Sequence, residues 1–264
     1  MIVDAHVHLL PDRLAAAIRR FFTQHAVGSF FQYPHDAESA RACIVAAGVD
    51  RCWSLPYAHK PGMAAALNRW MAETFAGDPV VVAGATVHPA DHVATVVDEA
   101  LDDLGLRVLK LHCSVGNFDA DDPRLDPVWR RVSASGHPVV VHVGHSVGGT
   151  TEAPELATLG RVARRWPDAR LIIAHCGAPA VGATLAILRE TRSTYADLTP
   201  IGVALTPVDR AQIEGLEHRL LLGSDAPNTG VSIEQTIAYV RALGLDPAGE
   251  SAILGGTAER LLAR

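Results

Sequence analysis

Eight short runs of strand-forming residues, most of them rich in Val, Ile, Leu and Ala, are spaced along 264 residues, each followed by a stretch with helical patterning. The runs fall near 2–8, 51–55, 80–87, 107–112, 138–143, 170–175, 193–197 and 219–224. Helical patterns lie near 12–22, 36–47, 62–76, 92–103, 125–135, 153–165, 179–190 and 206–214, with more near 232–243 and 247–262. Parallel neighbours need a long crossover between them, and strands covered by helices read as continuous apolar runs rather than alternating ones. Eight strand–helix units in a chain of this length predict a single (β/α)8 TIM barrel. No Ser/Gly/Pro-rich linker divides the chain, so residues 1–264 read as one domain.

The bulk numbers fit that frame and exclude some partners. Hydrophobic residues make up 48% of the chain but aromatics only 5%, so the core is built from small aliphatic side chains. A net charge of −6 offers no basic surface for nucleic acid. No apolar stretch approaches the roughly 20 residues of a membrane helix, and the first apolar run is broken by Asp4, His6 and His8. Cys43, Cys52, Cys113 and Cys176 form no C-x-x-C pair and read as reduced buried thiols. A cytoplasmic location is expected.

The chemistry is at the ends of the runs. His6 and His8 stand two apart in Ile2-Val3-Asp4-Ala5-His6-Val7-His8, and alternate strand residues face one side. Three later runs close on His142, His175 and Asp225. A lone histidine at a strand end is more often a hydrogen-bonded structural residue. Five such groups at the C-terminal ends of barrel strands would converge at one mouth, where three or four N/O donors make a catalytic metal site. Imidazole and carboxylate donors suit zinc best, with Mn, Fe or Co as alternatives.

Further residues cluster around this set. Asp4 would share the strand face of His6, either as partner of a ligand imidazole or in a structural hydrogen bond. Lys110 and His112 share a face of Leu109-Lys110-Leu111-His112, and a lysine buried there is costly unless paired or modified. His112, His145 and Asn228 are candidates for substrate contact. The segment Thr23 to His35, with Phe30, Phe31 and Tyr33, would pack the first βα unit or cover the pocket. The remaining histidines read as surface or structural, with His88 before Pro89 near the mouth.

The segments DAHVH at 4–8, VVVHVG at 139–144, IIAHCG at 172–177 and LLGSDAP at 221–227 resemble the amidohydrolase superfamily, specifically the amidohydrolase-2 branch. The closing stretch from Ile253 to Leu262 is similar to that branch's last motif, with Thr257 where Asn is more usual. The resemblance implies that His6, His8, His142 and Asp225 hold one divalent metal. His175 would sit beside it as general base or electrophile, or as ligand to a second metal. Lys110 resembles the strand-four lysine of dihydroorotase-like members, which is carboxylated and bridges two metals. The other reading pairs it with Asp4, Asp225 or a substrate anion.

The expected function is a hydrolase using a metal-activated water on an amide, ester or lactone of a small molecule, with Asp225 and His175 handling protons. A nonoxidative decarboxylase is the alternative on the same ligands, and a non-catalytic metal-binding barrel is the contender from another class. The resemblance also implies a homo-oligomer.

Overall fold

Each expected apolar run becomes a strand, because helices on the outside and side chains on the axis bury both of its faces. In the computed structural model, which describes residues 1–25, 31–142 and 152–263, the strands are β1 (Val3–Val7), β2 (Arg51–Ser54), β3 (Val81–Thr86), β4 (Val108–Leu111), β5 (Val139–Val141), β6 (Leu171–Ile173), β7 (Thr194–Asp197) and β8 (Leu220–Leu221). They form one parallel sheet in sequence order. The Ala5 N–H donates to the Leu222 carbonyl at 2.9 Å and the Asp225 N–H to the His6 carbonyl at 2.8 Å, which brings β1 against β8. The result is a nearly closed (β/α)8 TIM barrel.

Strand alternation sorts the apolar residues into two layers. Leu109, Leu111, Val139, Val141, Leu171 and Ile173 face outward and pack on helix residues such as Val128, Trp129, Leu159 and Leu185. Trp53, Leu55, Val82, Val108, Val140, Ile172 and Leu221 form the inner layer, and the last helix, Thr257–Leu262, adds Ala258, Leu261 and Leu262 as a floor. Full burial of one such aliphatic side chain is worth about 1.5–3 kcal/mol.

Strand β1 departs from strict alternation. Its register against β2 shifts between Asp4 and Val7. Val3 and Ala5 join the inner layer, yet His6 also reaches the axis, where it meets Lys110. An irregularity of this kind lets two consecutive residues face the same side. Asp4 therefore does not share the face of His6. Its Oδ1 accepts from the backbone N–H groups of His6 (3.2 Å) and Ser224 (3.0 Å), which makes it a backbone tie between β1 and the end of β8.

Two helices begin on reciprocal capping boxes, and only one of them keeps the length its pattern suggested. Ser232 and Gln235 form a reciprocal capping box at the start of the helix Ile233–Ala242. The pattern near 206–214 shrinks to Arg210–Ile213, behind a box made by Asp209 and Gln212. A single turn, Cys113–Gly116, directly after β4 has no counterpart in the sequence reading. Among the described residues, no helix is long and apolar enough to cross a membrane.

Part of the Thr23–His35 segment, Phe30 included, lies outside the described residues. Beyond it, Phe31 sits under the Arg19 guanidinium at 4.2 Å, and the Tyr33 hydroxyl accepts from Ile233 N–H at 2.8 Å. Arg19 donates to the carbonyls of Tyr33 (2.9 Å) and Pro227 (3.3 Å), so this stretch is fastened to the loop that follows Asp225.

Candidate metal centre

The β1 register shift and the tight approach of β8 place the first three candidate ligands. Gly223 has no room for a side chain: a Cβ there would collide with Thr199 Oγ1 and stand 2.8 Å from His6 Cβ. Glycine at this point lets the His6 strand and the residues after β7 meet across β8. Two residues on, Asp225 adopts a left-handed backbone, φ 64°, and so does His175, φ 55°. Such conformations cost non-glycine residues about 1–3 kcal/mol and gather at functional sites. Both side chains stand beyond the last ladder residue of their strands, on turns rather than on strand ends.

Within the mouth, His6, His8 and Asp225 each offer one ligand atom, all within 4.8 Å of one another. Asp225 Oδ1 lies 3.1 Å from His8 Nε2 and 4.0 Å from His6 Nε2. His8 Nδ1 is 2.7 Å from the Leu55 carbonyl, which can only accept, so Nδ1 carries the proton. The other nitrogen, Nε2, is turned to a carboxylate oxygen of Asp225 3.1 Å away, a contact that a shared proton or a cation between them satisfies. Donor atoms around a tetrahedral zinc at about 2.0–2.1 Å are about 3.3 Å apart; the His8–Asp225 pair is close to that spacing and His6 stands somewhat farther out.

Burial sets the charge states. His6 is pulled down to about 3, first by burial and then by the Lys110 charge, so it stays a neutral donor. Burial opposes ionisation of Asp225, but the His8 hydrogen bond and the neighbouring His8, His175 and His6 hold its carboxyl below the usual range. Lys110 is fully buried, and that burial pulls it to about 8 against the opposing charges of Asp197 and Asp225. Its Nζ lies 3.0 Å from His6 Nε2, so it meets the imidazole rather than Asp4.

The other histidines form an arc beside this trio. The His175 ring centroid is 5.2 Å from that of His6 and 5.0 Å from that of His142. His175 Nδ1 faces the Pro200 carbonyl at 3.1 Å, which leaves Nε2 as an acceptor. His142 stacks on His112 at 3.8 Å, and both are pushed well below the ordinary imidazole range by burial, then His112 by Lys110 and His142 by His112. His142 Nε2 is shut from solvent and has no partner among the described residues. It is not part of the close trio, but a buried nitrogen without a partner has a lone pair available to a further ligand. The Asn228 N–H donates to the Asp225 carbonyl at 2.7 Å, which places it at the rim. His145 lies outside the described residues. His88 is structural, its ring held by the Gly116 carbonyl (3.1 Å) and the Ala90 N–H (3.2 Å).

Two residues of the mouth escaped the sequence reading. Asp197, at the end of β7, accepts from His6 Nδ1 at 3.0 Å; burial works against its charge, but His6 beside it outweighs that and holds the carboxyl well below its usual range. Tyr57 sets its ring 5.4 Å from His8 and 5.0 Å from His112, with its phenol pushed up by burial and then by Asp225. The signal for Asp197 was present: a carboxylate closing the seventh strand in a barrel whose neighbouring strands close on candidate ligands.

Residues 3–264 match the Amidohydrolase family model of the amidohydrolase-2 type. The chain belongs to that family. Amidohydrolases of this family are enzymes with a metal requirement, in keeping with the donor set above. Among solved structures, an uncharacterized TIM-barrel protein from Bordetella bronchiseptica is similar at 20% identity, TM-score 0.74, over 99% of this chain and 98% of that one. The 5-carboxyvanillate decarboxylase of Sphingomonas paucimobilis is similar at 14% identity, TM-score 0.69, over 99% and 98%. The 4-oxalomesaconate hydratase of Rhodopseudomonas palustris is similar at 16% identity, TM-score 0.63, over 99% and 95%. At these identities the likeness is one of fold. No protein of curated function matches the sequence.

Proposed function

We propose that this amidohydrolase is a metal-dependent hydrolase that adds water to an amide, ester or lactone carbonyl of a small molecule. The observation that carries the reading is the cluster of His6, His8 and Asp225, whose ligand atoms all lie within 4.8 Å of one another, with His8 Nε2 and Asp225 Oδ1 3.1 Å apart. A divalent cation there, zinc first and Mn, Fe or Co as alternatives, would supply Lewis acidity and acidify water. In this reading His6, His8 and Asp225 hold it, and His142 is the fourth donor because its buried Nε2 has no other partner. Asp225, kept ionised, takes the proton of the attacking water. His175, its Nδ1–H fixed on the Pro200 carbonyl, would take that proton from Asp225 on its free Nε2 and deliver it to the leaving group. His112, Tyr57 and Asn228 line the space the substrate would fill.

A nonoxidative decarboxylase is the second reading. It is favoured by the likeness to a decarboxylase along almost the whole chain and by the wall of buried rings, where His112 stacks on His142 beside Tyr57. A dry wall of that kind suits loss of a carboxylate. A turnover screen over lactones, amides and carboxylates, with and without added metal, finds the substrate. Reaction in 18O-labelled water then separates the two readings. A hydrolase places the label in the product acid; carbon dioxide released with no label in a new carboxylate makes the second reading the right one. No turnover under any metal would leave a binding barrel.

A further inference from the structure

We propose that Asp197 is a positioning residue that decides which nitrogen of His6 carries the proton, while its second oxygen holds the backbone of His175. The proposal rests on reading His6 as a metal ligand. Asp197 is fully buried. Its Oδ2 lies 3.0 Å from His6 Nδ1, and its Oδ1 accepts from the N–H groups of His175 (2.7 Å) and Thr199 (3.2 Å). Against an acceptor on that side, neutral His6 must carry its proton on Nδ1. The lone pair of Nε2 is then turned into the mouth, toward the space it shares with His8 and Asp225. The Thr199 hydroxyl, 3.2 Å from Nδ1, can serve either tautomer and does not decide. Lys110 Nζ, a donor 3.0 Å from Nε2, calls for the same arrangement from the other side of the ring.

The second oxygen makes the carboxylate irreplaceable by its amide. Only a carboxylate accepts on both of its faces. An asparagine at 197 keeps two hydrogen bonds if its oxygen stays with His175 and Thr199, and would set an NH2 group against two N–H donors if it turned over. The amide nitrogen therefore faces His6 Nδ1 and donates to it, which draws the ring's proton to Nε2 against the Lys110 amine 3.0 Å from that nitrogen. That proton occupies the lone pair a metal needs. One carboxylate thus links the nitrogen that would bind the ion to the left-handed turn that presents His175.

The test is Asp197→Asn, read first without metal. Two-bond 1H–15N correlation spectra of histidine-labelled, metal-free protein distinguish the tautomers, with the His6 signals assigned by their loss in His6→Gln. Wild type is expected to carry the His6 proton on Nδ1, and Asp197→Asn on Nε2. Competition titration of Zn2+ or Co2+ against a chelator is expected to show affinity lower by about 10–100-fold in the variant, with far-UV circular dichroism unchanged. An Asp197→Asn protein with the wild-type tautomer and wild-type affinity overturns the proposal. So does a metal-free wild type whose His6 proton sits on Nε2, a result that needs no folded variant. A wild type that binds no metal but shows the Nδ1 tautomer overturns the ligand reading of His6 and leaves the role of Asp197 standing.

Discussion

The floor and the mouth of this barrel lie two residues apart on the same strands. Val108 belongs to the inner apolar layer and Lys110 to the mouth; Val140 is followed in the same way by His142. Two residues of strand span about 6.6 Å. Below that step the axis is filled by Trp53, Leu55, Val82, Ile172, Leu221 and the floor helix; above it stand imidazoles, an amine and carboxylates, nearly all buried. The floor gains from burial, whereas the mouth buries polar groups and carries left-handed residues at His175 and Asp225. A barrel can carry a costly mouth because an apolar plug sits directly beneath it, and the two ends should respond separately to substitution.

His8→Ala is the strongest challenge to that separation. It should remove most bound metal and lower turnover by about a thousandfold or more, since Lewis-acid stabilisation is worth several kcal/mol. The unfolding midpoint of the metal-free protein should hardly move. Metal analysis beside chemical denaturation checks both, and collapse of the metal-free fold would break the comparison. Leu261→Ala is the converse at the floor. It should cost about 2–5 kcal/mol of stability, while the folded fraction binds metal as wild type does. Weaker binding in that variant would show that floor and mouth are coupled. Gly223→Ala is the smallest and sharpens the boundary, because the added methyl presses on Thr199 and His6 at once. Overpacking should cost about 1–3 kcal/mol, and metal affinity should fall with it. Stability lost with affinity intact would assign Gly223 to the scaffold alone.

The strands were readable because parallel strands buried on both sides leave a plain trace, an apolar run that ends abruptly in a polar residue, as at Val141-His142 and Ile173-Ala174-His175. The convergence of His6, His8 and Asp225 followed from barrel geometry. What strand period could not supply was the register shift in β1. Counting by twos aligned Asp4 with His6 and made it a candidate to hold the imidazole, but the shift turned Asp4 to the backbone of Ser224 and left the imidazole to Asp197. The turns that carry His175 and Asp225 were equally hidden. Their left-handed backbone is set by distant hydrogen bonds, from His175 N–H to Asp197 and from Asp225 N–H to the His6 carbonyl, and not by a local glycine signal. The stack of His112 on His142 depends on how two neighbouring strand ends meet, which no single run encodes.

β1 and β8 are nearly the whole chain apart, yet they meet edge to edge where the ring joins. His6 and His8 come from one side of that joint and Asp225 from the other. The three donors therefore share no common centre until the last strand has been laid against the first. An ion seated among them would act as a clasp on the joint, adding about 2.7 kcal/mol to the closed form at a hundred times its dissociation constant. Chelation should then loosen this protein first at the joint, between its opening strand and its final one, and hydrogen exchange at Ala5 and Asp225 would be the earliest place to see it.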